Sequence, residues 1–245
     1  SCNPYFWNVF KRIVNQDKSN NKYFDTEIGL VNWKEYMMSF GFGSKLGIDL
    51  NDEKSGQIPG VDLYNKIYGE GRWKFSTIYS LSIGQGEIGI SPLQMANFAA
   101  LLANKGYYYT PHLVKSIGEG DSILPRFTKK HISNVDTGYF KFIHDGMEDV
   151  VNFGTAPRAR LDSIIVCGKT GTSQNPHGED HSVFIAFAPR YNPQIAIAVY
   201  VENAGQGGRS AASIAGLIIE KYLNGHISKR RKYIEDYVYK NDFIY

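Results

Sequence analysis

Residues 166–174 read Val-Cys-Gly-Lys-Thr-Gly-Thr-Ser-Gln, and what this stretch is decides what the rest of the chain must be. Ile164, Ile165 and Val166 lead into it, and such a β-branched run predicts a strand over Ser163–Thr170. Successive strand side chains point to opposite faces, so Lys169 and Gly171 share one face and Thr170 and Thr172 the other. Gly171 leaves the backbone bare, which lets a ligand lie directly against the peptide groups. The rival reading of Gly168-Lys169-Thr170 is a phosphate-binding loop, which needs a glycine five positions before Gly168. Position 163 is Ser163 and the residues between are strand formers, so that reading fails.

Working outward, Ser182–Ala188 and Gln194–Glu202 predict two more strands joined through a Pro189–Pro193 turn. Gln194-Ile-Ala-Ile-Ala-Val-Tyr-Val alternates large and small residues, which suits a sheet buried on both faces. The loop Gly205-Gln206-Gly207-Gly208-Arg209-Ser210 lacks the last glycine of a dinucleotide fingerprint and leads into a helix over about 210–223. Upstream, apolar spacing predicts helices over 4–14, 26–39 (opened by Asp25 or Thr26) and 137–153, the last with Phe140, Ile143, Met147, Val150 and Val151 inward. Ser91 and Pro92 open a further helix that Gly106 closes in a left-handed conformation, with Leu93, Ala96, Ala99, Ala100 and Ala103 on its inner face. Asp17–Asn21 reads as a turn, Gly56–Gly71 as ordered loop and Tyr107–Ile117 as extended chain. Together these give an antiparallel sheet with helices packed on it, an α+β fold (an α/β sandwich).

Length and composition fit that outcome. A chain of 245 residues that is 42% hydrophobic and 21% charged buries a sizeable core. Lys+Arg at 27 nearly balance Asp+Glu at 24, so nothing in the charge calls for nucleic acid as a partner. The single concentrated basic run, Lys229-Arg230-Arg231-Lys232, reads as a solvated helix end or tail. Cys2 and Cys167 make neither a disulfide framework nor a zinc pattern, and one bond between them is left open. The six histidines have no metal spacing, so neither metal nor cofactor is expected. His181 reads as a structural residue bracing its strand. No apolar run approaches the ~18–20 residues that span a bilayer, so any membrane anchor is expected outside these residues.

Two short motifs sit near the start. Ser1-Cys2-Asn3 precedes an aromatic-rich helix, beginning Pro4-Tyr5-Phe6. Ser19-Asn20-Asn21-Lys22 has the Ser-x-x-Lys pattern of a serine activated by a lysine one turn away, but it lies in a polar turn, not on a buried helix. Lys169-Thr170-Gly171-Thr172 and Ser1-Cys2-Asn3 resemble, in order, the third and second signatures of penicillin-recognising serine enzymes. The resemblance continues through Gly41-Phe42-Gly43, Gly47-Ile48-Asp49-Leu50 and Gly56-Gln57-Ile58-Pro59. It extends further through Ser82-Ile83-Gly84-Gln85-Gly86, Ser91-Pro92-Leu93-Gln94-Met95-Ala96, Gly154-Thr155-Ala156 and Pro189. The chain is thus identified as similar to class B penicillin-binding proteins, and within them to the elongation-specific branch.

That resemblance implies a β-lactamase/transpeptidase-like fold and a D,D-transpeptidase that cross-links peptidoglycan stem peptides through a serine acyl-enzyme. It implies Lys169, Thr170 and Thr172 at the substrate carboxylate, with Gly171 between them and the Thr172 N–H as half of an oxyanion hole. Ser1 would relay a proton and Asn3 hold the substrate amide, as the opposite wall. Partners implied are stem peptides, β-lactam antibiotics and other cell-wall elongation proteins, in an extracytoplasmic setting. The first signature, with the nucleophilic serine, is expected upstream of Ser1. Residues 1–224 are then the C-terminal portion of an N-terminally truncated transpeptidase domain, with 225–245 as a tail that covers surface or binds a partner. On their own they are expected to be inactive, with the Gln194–Glu202 strand as an apolar edge prone to pairing. The alternatives are a β-lactam-sensing receptor domain and a non-catalytic scaffold on the same fold.

Overall fold

The computed structural model describes residues 2–15, 18–118 and 122–240. Ser1 and Asp17, and Phe243 and Tyr245 of the expected 225–245 tail, lie outside the described residues. The chain divides into two compact units, residues 1–91 with 111–123, and residues 92–110 with 124–245.

The first unit is helical. Helix α1 (Asn3–Val14) has Pro4 in its first turn, where a missing N–H costs nothing. Helix α2 (Lys22–Ser39) starts four residues before the expected Thr26, because the Asn21 side chain caps it by accepting from the amides of Tyr23 (3.0 Å) and Phe24 (3.4 Å). The two helices meet closely at Gly29, where a Cβ would lie 2.3 Å from the Val14 Cα. The stretch expected as loop between Gly56 and Gly71 contains a helix, α3 (Val61–Tyr68), followed by the single turn α4 (Phe75–Ile78). Helix α3 forms because Tyr64 is fully buried beside Phe10, Val14, Leu30, Trp73, Ile78 and Leu81. Both polar tips of that core are satisfied: Trp73 Nε1 donates to Asn65 Oδ1 at 2.7 Å and the Tyr64 hydroxyl to Glu87 Oε2 at 2.7 Å. Burial and the Glu87 carboxylate hold the Tyr64 hydroxyl far above the usual phenol range.

The second unit carries the sheet. Its elements are α5 (Pro92–Ala103), β1 (Tyr107–Tyr109), α6 (Pro125–Thr128), β2 (Lys130–Ile132), α7 (Phe140–Asn152), β3 (Cys167–Ser173), β4 (His181–Ala188), β5 (Ile195–Val201), α8 (Ala211–Asn224) and α9 (Lys232–Lys240). Strands β3, β4 and β5 form an antiparallel sheet in that order, and β1 pairs with β2 in a small separate ribbon. On β4, Phe184, Ala186 and Ala188 pack with Ile195, Ile197, Val199 and Val201 of β5 against Ala211, Ala212, Ala215 and Ile219 of α8. The intervening residues therefore face the other way, where Phe187 meets the His144 ring of α7 at 4.8 Å. Helix α5 packs on β4 and β5. It is buried more fully than its small-residue face predicts, with Gln94 and Asn97 inside beside Ala99, Leu101, Leu102 and Ala103.

Other departures have local causes. Extended chain after Gly106 stops at Tyr109 instead of Ile117. The left-handed turn closing α5 falls on Lys105 (φ 58°) and continues into Gly106 (φ 109°). Helix α7 buries His144 where the spacing pointed to Ile143, since the ring nitrogen Nε2 finds the Leu102 carbonyl at 2.7 Å. Strand β3 begins four residues later than Ser163 and runs through Ser173, so the whole Lys-Thr-Gly-Thr motif lies inside it. Among the described residues β5 pairs only with β4.

Candidate functional site

Strand β3 presents the motif in register with β4: Lys169 opposite Ile185, Thr170 opposite Phe184, Gly171 opposite Val183 and Thr172 opposite Ser182. Gly168 has no room for a side chain, because a Cβ there would lie 2.2 Å from the ring of the fully buried Phe184. The strand is thus pinned just before Lys169. The Lys169 ammonium donates to the Thr170 carbonyl at 2.7 Å, and burial holds its pKa below the ordinary lysine value. Such a lysine keeps its charge near an anion and gives it up more readily than a solvated one.

Thr170 and Thr155 bring their hydroxyls together at 2.8 Å, in an exposed position. Thr155 comes from the turn that follows α7, so this pair joins two separate segments. The loop after β5 completes the support. A Cβ on Gly207 would lie 2.4 Å from the carbonyl oxygens of Gly171 and Val183, and one on Gly208 would lie 2.0 Å from that of Thr155. The glycines that tempted a dinucleotide reading serve here to let one backbone rest on another. Thr172 is exposed at the far end of the motif.

The β3–β4 loop is held by amide side chains. Asn175 donates through Nδ2 to Asn203 Oδ1 at 2.8 Å, and Asp180 accepts from the Asn175 amide at 3.1 Å. His181 accepts the Asn203 amide on Nδ1 at 3.1 Å and packs on Tyr200, the bracing role its sequence position suggested. Behind the motif, the Cys167 thiol reaches the His144 carbonyl at 3.6 Å, and burial pushes its pKa up to about 12. It is an inert core thiol. Cys2 is a free, exposed thiol, so the optional disulfide is not formed. Arg190 forks between Asp145 and Glu148, tying the start of the β4–β5 connection to α7.

Asn3, the first residue of α1, is exposed in the first unit, and its motif partner Ser1 lies outside the described residues. Ser19 is occupied in a local turn: its hydroxyl donates to the Asn21 carbonyl and accepts the Asn21 amide, both at 3.0 Å. That is the work of a turn residue. No cluster of three or more metal-ligating side chains occurs among the described residues, and no described helix is long and apolar enough to cross a membrane. Thr155 is the candidate site residue that spacing arguments missed, a hydroxyl partner of Thr170. Its signal was the Gly154-Thr155-Ala156 match, and no helical or strand period relates it to Thr170.

Comparisons with known proteins agree on the family to which most of the chain is similar. The family model described as penicillin binding protein transpeptidase domain matches residues 1–220. The chain is 33% identical over 227 residues to a peptidoglycan D,D-transpeptidase MrdA of Haemophilus influenzae, covering 84% of this chain and 35% of that protein. It is 30% identical over 241 residues to the protein of that name from Acinetobacter baumannii, covering 91% and 33%. The chain spans about a third of the length of these curated relatives. Among solved structures it is similar to Pseudomonas aeruginosa PBP2 in complex with WCK 5153, with a TM-score of 0.74 and 29% identity over 93% of this chain and 47% of that one.

Proposed function

Because the chain belongs to the penicillin-binding protein transpeptidase domain family, we propose that it is the substrate-binding portion of a peptidoglycan D,D-transpeptidase acting in cell-wall elongation. The observation that carries this is the motif on β3: a half-buried lysine followed by a solvent-facing hydroxyl pair, Thr170 with Thr155. An ammonium and two hydroxyls form a site for a carboxylate, the terminal group of a stem peptide. In this reading Lys169, Thr170 and Thr172 hold that carboxylate and Gly171 lets the peptide lie against the strand. The Thr172 amide faces the oxygen that becomes negative, a device worth about 10²–10³ in rate per donor. Asn3 holds a substrate amide and Ser1 relays a proton.

The reaction has two steps. A serine hydroxyl attacks the penultimate D-Ala carbonyl, its proton passes to the departing amine, and terminal D-Ala leaves. An amine of a neighbouring stem then attacks the ester, releasing the serine and forming the cross-link. This reading puts the nucleophile upstream of Ser1, and the turn that occupies the Ser19 hydroxyl supports it. β-Lactams acylate the same serine. Stem peptides and other elongation proteins are the partners of this reading, and the location is extracytoplasmic.

The test is intact mass after incubation with penicillin, for this chain and for a polypeptide extended upstream of Ser1. The expected result is one adduct on the extended polypeptide alone. An adduct on the 245 residues would return Ser19 or Ser1 to candidacy as nucleophile, and no adduct on either would overturn the enzymatic reading.

A further inference from the structure

Of the run Lys229-Arg230-Arg231-Lys232, expected to be a solvated helix end, one member is not at the surface. Arg231 is 9% exposed at its side chain and faces Glu220 of α8, itself 5% exposed, with Nε 3.1 Å from Oε2. The remaining guanidinium nitrogens grip two backbone carbonyls of one turn: Nη2 donates to Arg158 O at 3.0 Å and Nη1 to Arg160 O. Gly216 makes room for this, since a Cβ there would lie 2.6 Å from Nη2 and 2.9 Å from the Ala159 Cα. Arg158 in turn lies over the Tyr237 ring of α9 at 4.1 Å and reaches Arg209 O at 3.5 Å.

The gripped turn follows directly on Thr155. Ala156 and Ala159 are fully buried, and the Ala156 amide is fixed to Val150 O at 3.0 Å, so little slack separates the carbonyl of Arg158 from the hydroxyl of Thr155. Arg209 follows Gly207 and Gly208, the glycines seated on the backbones of Gly171 and Thr155. Arg231 therefore holds one of the two segments that meet the motif strand, and Arg158 of that segment reaches the other. A buried ion pair is weak evidence for stability, because apolar residues of the same volume often do as well. What apolar residues cannot do is fix two carbonyls at a set distance, which the planar fork of an arginine does.

We propose that Arg231 is a positioning residue: acting through residues 156–160, it holds Thr155 where its hydroxyl orders that of Thr170, and so sets the affinity of the site for a carboxylate. The catalytic consequence rests on the transpeptidase reading above, while the geometric one does not. Residues 232–240 are then part of the site's framework, not an appendage.

The experiment uses the polypeptide extended upstream of Ser1, with Arg231→Lys, Arg231→Met, Thr155→Val and the Arg231→Met/Thr155→Val double variant. Penicillin acylation is resolved into the non-covalent dissociation constant and the acylation rate, and the methyl resonances of Thr155 and Thr170 are followed by NMR. Thr155→Val is expected to raise the dissociation constant about tenfold, the worth of a hydrogen bond to a charged group. Arg231→Met should give most of that loss, and the double variant no more than Thr155→Val alone, because both act on one contact. Arg231→Lys keeps the charge beside Glu220 but serves one carbonyl, so it should shift both methyl resonances with little loss of thermal stability. Unmoved resonances in both Arg231 variants, or additive losses in the double variant, would overturn the proposal. If the unsubstituted polypeptide takes no penicillin, the transpeptidase reading fails, and the methyl resonances still decide whether Arg231 positions Thr155.

Discussion

Lys169 is asked to do two opposed things. Its ammonium sits largely out of water, which costs stability, and the same burial readies it to meet an anion. The folded-state pKa is lowered, so between that value and the unfolded value of 10.5 the unfolded chain binds more protons. The lysine's contribution to stability is therefore unfavourable below the folded pKa and is relieved as pH rises through it. Lys169→Met should unfold no earlier than the unsubstituted chain at neutral pH, and the gap between the two in urea should close as pH approaches 10.5. If the proposed transpeptidase function holds, penicillin acylation of the extended polypeptide should fall at least about a hundredfold, where a scaffold would lose nothing. Gly168→Ala tests a different property. Its methyl group would displace the Phe184 ring and should lower unfolding stability by about 1–3 kcal/mol.

At the level of elements, the site depends on strands and turns that meet from distant parts of the sequence. Breaking the Glu220–Arg231 pair from the acidic side should be severe. Glu220→Ala leaves the Arg231 charge buried, and chemical denaturation should show a loss of about 3–5 kcal/mol. At the exposed end of α2, Asn21→Ala should cost only about 0.5–2 kcal/mol, since water can replace the cap. These elements were unequally legible. Helix α1, the hairpin β4–β5 and α8 follow from local pattern, because period and punctuation agree over eight or more residues. Helix α3 does not, because a helix of 8 residues between Gly60 and Gly69 owes its existence to the burial of Tyr64. Likewise the inward phase of α7 is set by a carbonyl of α5 that accepts from His144, a partner 42 residues away. The Lys-Thr-Gly-Thr half of the candidate site is legible because it is contiguous. Its support by Thr155, Gly207, Gly208 and Arg231 is not, since those contacts belong to the fold and not to any spacing.

For the whole molecule, the edge of β5 that pairs with no strand among the described residues bears on behaviour in solution. Seven residues, Ile195–Val201, are half-buried and pair on one side only among the described residues. Light scattering of the 245-residue chain should rise with concentration, while the polypeptide extended upstream should stay monodisperse; equal behaviour of the two would count against an open edge. The position of Arg231 carries a practical consequence for anyone producing this protein. The family model matches as far as residue 220, and α8 ends at Asn224, so either looks like a sensible place to stop an expressed gene. A product cut there keeps every recognisable motif but strands Glu220 inside the body without its counter-charge. Such a trimmed product should be degraded in the host or collect in inclusion bodies, and the failure would be misread as a defect of the motifs instead of the missing last helix.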